Sequence, residues 1–209
     1  MRHFLEDRIR LVRELIESDI SVAYGDLVLI LSAVISSCAA ARWPGRGIDR
    51  RRFVELLVQL SPPDAHMNWV CVPALINSNL VSEADTPYGP GENTRIFRDD
   101  EIDLELSAAQ AKYTNVSLGN LKRRTYAVLI YEWLRCGYAH EYCAHENITH
   151  VPPSRYNARL SYIGRGTPDG LKRMVSFHLD YLIDLAQFHA ATLAEAADPV
   201  PGEWWIDVA

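Results

Sequence analysis

Tyr126-Ala127-Val128-Leu129-Ile130-Tyr131-Glu132-Trp133-Leu134-Arg135-Cys136-Gly137-Tyr138-Ala139-His140-Glu141-Tyr142 is an apolar run that ends in an arginine, four residues and a histidine. Asn120 is placed to cap it, so the pattern predicts one long helix from near Leu121 to about Tyr142. Tyr131, Arg135, Tyr138 and Tyr142 recur at helical spacing, which puts three phenols and a guanidinium on one stripe polar enough to line a cleft. Arginine keeps its charge at physiological pH and imidazole titrates near neutrality, the two properties needed to stabilise a phosphoryl-like transition state and move protons within it. His140 follows Arg135 by five residues, about 140° around an ideal α-helix. The two side chains therefore meet only where the helix ends or where a second copy approaches, and a symmetric dimer would gather two arginines and two histidines in one cleft.

Helices are expected on both sides of this run. Leu5, Ile9, Val12, Leu15 and Ile16 mark an amphipathic helix ending near Ser18 or Asp19. The stretch from Leu27 to Ala41, interrupted by Ser32, Ser36 and Ser37, falls short of the roughly 20 residues that span a bilayer and reads as a buried central helix. Asp26 precedes it and Trp43-Pro44-Gly45 stops it. Asp49 is placed to cap a third helix carrying Phe53, Leu56, Leu57 and Leu60, which Pro62-Pro63 ends. From about residue 64 to 100 the periodicity fails, and this segment reads as an irregular insertion with a partly helical stretch from Asn68 to Val81. Leu104 to Ala111 is a modest helix, and Ile148 to Asn157, with Pro152-Pro153, is a loop.

Toward the C-terminus, Leu160 and Tyr162 alternate with Arg159 and Ser161, and Met174 to Phe177 can pair with them across Gly164 to Gly170 as a short β-hairpin or can equally start the last helix. A last helix carries Leu179, Leu182, Ile183, Leu185, Ala186 and Ala190, with His178 and His189 at its boundary with solvent. Trp204 and Trp205 are expected to dock on the body. The reading is one mainly α domain over residues 1–209, a helical bundle with a short β-hairpin in its C-terminal third.

Hydrophobic residues make up 48% of the chain and charged residues 23%, the balance of an ordinary globular protein. A net charge of −6 argues against broad adhesion to nucleic acid. Basic residues nevertheless cluster in three groups: Arg42 with Arg46 and Arg50 to Arg52; Lys122 to Arg124; and Arg155, Arg159, Arg165, Lys172 and Arg173. Two of these groups brought together by folding would make a local anionic site. Cys38, Cys71, Cys136 and Cys143 have no close paired spacing and read as reduced thiols. With Glu6, Asp7 and Arg8 in place of a signal peptide, a cytoplasmic protein with no membrane partner is expected.

The segment Arg135-Cys136-Gly137-Tyr138-Ala139-His140 resembles the arginine, four to six residues, histidine motif of the HEPN superfamily, and Tyr142 extends it to the histidine, any residue, tyrosine ending of HEPN toxins. The resemblance implies a helical bundle that dimerises through the motif helix and a metal-independent ribonuclease of a toxin–antitoxin or antiphage defence system. It assigns catalysis to Arg135 and His140, leaves Tyr131, Tyr138 and Tyr142 for substrate binding or regulation, and needs no cofactor. Implied partners are RNA or a nucleotide, a second copy of the chain, and an antitoxin protein; Tyr142 resembles the tyrosine that a nucleotidyltransferase antitoxin modifies in some members. Cys136 stands where members often carry a polar amide or acid.

Other readings stand beside this one. Arg173 and His178 repeat the same spacing, and Arg135 could pair with Glu132 on its own helix. His140, Cys143 and His145 crowd three metal-ligand types into six residues without a distant fourth, a poor tetrahedral set. No phosphate-cradling glycine loop, serine elbow or paired acidic motif points to a kinase, hydrolase or glycosidase. The alternative function is a non-catalytic module of similar fold that binds a nucleotide, RNA or a protein.

Overall fold

The computed structural model describes residues 1–18, 21–83, 95–150, 158–167, 170–193 and 204–206. Asp19, the punctuation from Pro87 to Gly91, Pro152-Pro153 and Arg155 lie outside these residues. The fold is mainly helical with two small antiparallel sheets.

Its centre is α2 (Tyr24–Arg42), apolar on every side, with Leu27, Val28, Leu31, Val34, Ile35 and Cys38 buried. Burying each of the large aliphatic side chains contributes roughly 1.5–3 kcal/mol, which makes α2 the main apolar anchor. By length and composition α2 could cross a bilayer. In the fold it packs instead against α1 (Arg2–Glu17), α3 (Asp49–Leu60) and α9 (Leu179–Ala191). Leu5, Ile9 and Val12 of α1, and Phe53, Leu56 and Leu57 of α3, turn inward as their spacing predicts. Asp49, expected to cap α3, does not: Ile48 occupies that position and Asp49 lies in the first turn, as Asp26 does in α2, where Ala23 is the N-cap. Asp26 accepts a hydrogen bond from the Tyr142 hydroxyl, and Asp49 pairs with Arg52.

The segment after α3 is part of the core. A 3₁₀ turn (Pro63–Ala65) leads to β1 (Trp69–Val70) and α4 (Val72–Asn77), where Val70, Cys71, Val72, Ala74 and Leu75 are fully buried. β2 (Phe97–Arg98) is followed by α5 (Asp99–Ile102) and β3 (Leu104–Glu105), which pairs with β1. The helix expected from Leu104 therefore starts later, as α6 (Leu106–Lys112). The C-terminal hairpin forms, with Leu160 opposite Phe177 and Ile163 opposite Met174, between β4 (Leu160–Thr167) and β5 (Gly170–Phe177). β2 adds a third strand on the far side of β4.

The long helix is broken. α7 (Leu118–Lys122) is capped by Ser117, whose hydroxyl accepts from the Asn120 N–H, so Asn120 is not the cap. The chain leaves the helix at Arg123 to Thr125 because its backbone is used elsewhere: the Arg124 carbonyl accepts from the Cys71 N–H at 2.9 Å, and Thr125 bridges to Val70. Helical winding resumes in α8 (Tyr126–Leu129) and passes without interruption into a π-helix (Ile130–Glu141).

Asp103 ties these parts together. Its carboxylate accepts from the Val72 N–H at 2.9 Å, the Tyr126 hydroxyl at 2.5 Å and the Tyr162 hydroxyl, joining α4, α8 and β4 in a buried position. Burial pushes its carboxyl up to about 7, against the pull of those hydrogen bonds. His178 and His189, expected at the edge of solvent, are buried: His178 Nε2 bonds to Ser161 Oγ at 2.7 Å and His189 Nε2 to Ser61 Oγ at 2.9 Å. Burial drives the His189 ring down to about 4. Trp204 and Trp205 do dock on the body, the Trp205 N–H donating to the buried Glu55 carboxylate at 2.7 Å.

Candidate functional site

The motif lies on the π-helix, and the winding changes its geometry. Hydrogen bonds from each residue to the fifth before it widen the turn, so that residues five apart lie about one turn from each other. Arg135 and His140 are therefore on the same side of this helix, and the 140° separation of an ideal α-helix does not apply. The Tyr142 N–H still donates to the Gly137 carbonyl, and Tyr142 then takes a left-handed conformation (φ 51°) that ends the helix directly after the motif.

Two glycines make that ending possible. A Cβ on Gly137 would come within 2.5 Å of the Cys143 carbonyl oxygen, because the chain folds back over the last turn there. The His145 N–H reaches the Trp133 carbonyl at 3.3 Å, and the His145 ring stacks on Trp133 at 4.6 Å, holding the return segment down. A Cβ on Gly25 would come within 2.5 Å of the Tyr138 ring, so α2 begins in contact with the motif helix. Backbone oxygen cannot move aside as a flexible side chain can. Gly137→Ala is expected to destabilise the protein by about 1–3 kcal/mol, read from the midpoint of urea unfolding. A change below about 0.3 kcal/mol would mean that the fold-back is not tight.

Arg135 is half-buried and makes no ion pair with a described carboxylate. Its guanidinium lies 5.2 Å from the centre of the Tyr131 ring, and Nη1 is 3.9 Å from Cys136 Sγ. Glu132, its expected partner, is taken by Arg50 from α3. His140 is exposed and forms no hydrogen bond to a described residue. The phenols separate rather than share a cleft. Tyr131 is buried against Phe53, with ring centres 5.3 Å apart, and Tyr138 is buried against Gly25 with its hydroxyl 3.1 Å from His150 Nε2. Burial pushes the Tyr138 phenol up to about 12, and the Cys143 thiol adds to the shift. Only Tyr142, 64% exposed, presents its ring to solvent. Cys143 is exposed, and Cys136 is half-buried against the core.

The rival pair is not brought together. Arg173 sits in β5, buried, its guanidinium 4.9 Å from the Phe97 ring, while His178 precedes α9. Five residues of extended chain separate them by about 16 Å.

A cavity of about 640 Å³ opens elsewhere, lined by Asp64, Arg159, His178, Asp180 and Tyr181 among others. The sequence pattern does not pick it out, because its residues come from three distant segments. Its arginine is already committed: Arg159 Nη1 donates to the buried Asp99 at 2.9 Å and Nε to the Asp64 carbonyl at 2.7 Å. The cavity's arginine is thus held by Asp99 and the Asp64 carbonyl, whereas Arg135 rests on Tyr131 and Cys136 with no carboxylate partner among the described residues, and His140 is exposed. No group of three or more histidines, cysteines or acids among the described residues is arranged to hold a metal ion. No family profile, no curated protein and no solved structure matches this chain.

Proposed function

We propose that the chain is a HEPN-type, metal-independent endoribonuclease that works as a homodimer, a toxin or defence effector of the cytoplasm. The observation that carries this reading is an arginine with no carboxylate partner among the described residues, followed five residues later on the π-helix by an exposed histidine. A half-buried guanidinium without a carboxylate is costly unless an anion completes it, and a phosphodiester is such an anion. In the proposed reaction the ribose 2′-oxygen attacks the adjacent phosphorus as His140 takes its proton. The 5′-oxygen leaves, takes up a proton, and a cyclic phosphate remains. Arg135 offsets the negative charge that grows on the non-bridging oxygens. Tyr142, exposed and bonded to Asp26, is the accessible target for a modifying antitoxin, and a group added to its hydroxyl would break that bond.

The second reading, a binding module without catalysis, draws on the burial of Tyr131 and Tyr138, which removes two of the three phenols from any cleft. The test is cleavage of mixed RNA in the presence of a chelator by the wild-type protein, Arg135→Ala and His140→Ala, with circular dichroism establishing that each is folded. Loss of cleavage in the variants alone supports the ribonuclease. Equal cleavage by all three removes these residues from the mechanism, and intact RNA throughout leaves the binding module.

A further inference from the structure

The cavity of about 640 Å³ is built where three segments meet: the 3₁₀ turn after α3, the residues leading into β4, and the first two turns of α9. Its volume falls in the range of roughly 300–1,000 Å³ usual for small-molecule sites. Ala65, His178 and Tyr181 are buried in its walls. Hydrogen bonds tie each segment to the other two. The Tyr181 hydroxyl donates to the Ala65 carbonyl at 2.8 Å, joining α9 to the turn. His178 Nε2 bonds to Ser161 Oγ at 2.7 Å, joining α9 to β4, and Arg159 Nε donates to the Asp64 carbonyl at 2.7 Å, joining β4 to the turn. The cavity is therefore preformed, and its neutral polar walls are satisfied from inside.

Its carboxylates are not. Arg159 is the only arginine or lysine among the described residues that line the cavity, and the buried Asp99 already neutralises it at 2.9 Å. Asp64 and Asp180 form no ion pair with a described residue. Arg13 comes within 3.9 Å of Asp184, but both side chains are exposed, so that pair is weak. The N-terminus of α9 supplies only about half a positive charge. Three carboxylates thus leave the cavity negative, and they do not converge on a point. Asp180 and Asp184 share one face of α9, whereas Asp64 comes from the turn. No group of three or more metal-ligand side chains is gathered tightly enough to hold a metal ion among the described residues. Between the acids lie the apolar surfaces of Pro62, Ala65 and Leu185. Separated negative charges with apolar surface between them suit an extended cation with an alkyl chain, which sheds water from its methylenes while keeping each charge paired.

We infer that this cavity binds a small aliphatic polyamine, its ammonium groups on Asp64, Asp180 and Asp184 and its methylene chain against Pro62, Ala65 and Leu185. The inference does not rest on the ribonuclease reading, because no residue of the motif helix lines the cavity.

The experiment is isothermal titration calorimetry of the full-length protein with spermidine at low salt, where exposed charges are least screened. One spermidine per chain is expected. Asp64→Asn and Asp180→Asn should each weaken binding by about three- to fivefold, and together by about tenfold or more. Asp100→Asn, an exposed acid outside the cavity, should leave it unchanged. Ala158→Trp removes no charge but places an indole in the cavity from its half-buried rim, and it should abolish binding. Circular dichroism establishes that each variant is folded, and the two exposed aspartates decide the matter should the tryptophan variant not fold. No binding by the wild type at millimolar spermidine, or unchanged affinity in the double aspartate variant, overturns the inference. Unchanged affinity in Ala158→Trp also overturns it, because spermidine would then gather on the acidic surface alone. Saturable binding of magnesium chloride that the same variants weaken equally would replace the polyamine with a metal ion. His140→Ala should bind spermidine as the wild type does, so failure of the cavity or of the ribonuclease leaves the other standing.

Discussion

Asp103→Ala is expected to destabilise the protein by about 3–5 kcal/mol at pH 6, enough to unfold a domain of ordinary stability. The substitution removes one carboxyl group and strands three buried donors: the Tyr126 and Tyr162 hydroxyls and the Val72 N–H. Each stranded donor costs about 1–3 kcal/mol, and the position is buried. The pH dependence has a definite sign. The carboxyl sits at about 7 in the fold against 3.8 in its ordinary state, so the folded protein binds more protons than the unfolded chain between those values. Stability from this group is therefore complete below pH 4 and declines as pH rises to about 7, by an amount on the order of 4 kcal/mol. Asp103→Asn keeps the shape and cannot ionise, so its stability should lack that decline. The check is urea unfolding of the wild type and both variants at pH 5, 6, 7 and 8. A loss below about 1 kcal/mol for the alanine variant would show that Asp103 does not join the three elements.

Nothing in the local sequence distinguishes Asp103 from the acids around it. Asp99, Asp100 and Glu101 precede it, and a patterning argument places all four on a solvated turn. The partners that make Asp103 structural lie 23, 31 and 59 residues away, a separation that periodicity does not register. Where a face is decided by local period, the reading holds: α1, α3, α9 and the hairpin are legible because Leu5 to Val12, Phe53 to Leu57, Leu179 to Ala190 and Leu160 to Tyr162 each repeat at the spacing of their element, and α2 is legible as an apolar run from Leu27 to Ala41 too short to span a bilayer. The break at Arg123 to Thr125 is not legible, because no proline or glycine marks it. Sheet contacts from Val70 and Cys71 compete for the backbone and win.

The candidate site divides in the same way. Arg135 and His140 stand out by residue type and spacing, but a helix does not announce in its sequence that it is wound with five residues to the hydrogen bond. The fold-back over Gly137 and the contact of Tyr138 with Gly25 that accompany that winding both come from tertiary packing. The freedom of Arg135 is likewise a tertiary fact. Glu132 is the nearest acid in sequence, and Arg50, 82 residues away, takes it.

His140→Ala is expected to lower the rate of metal-free RNA cleavage by about 10²–10⁴-fold, the usual worth of a positioned acid–base group. Arg135→Ala should lose about 10²–10³-fold, the loss that follows removal of one charge-stabilising donor from a transition state. Arg135→Lys keeps the charge but not the planar fork, so it should recover only part of that loss. Mixing the two alanine variants then decides how the residues are shared. If arginine of one protomer worked with histidine of the other, a mixed dimer would carry one intact site, and random mixing would restore about a quarter of wild-type activity. The π-helix puts Arg135 and His140 of one protomer on the same side, so the pair is expected to act within a chain, and mixing should restore nothing. Dimers must exchange subunits for the result to count, which refolding the mixture from denaturant ensures. Recovery near a quarter would overturn the within-chain arrangement and leave both residues catalytic, whereas full activity in either single variant would remove that residue from the chemistry.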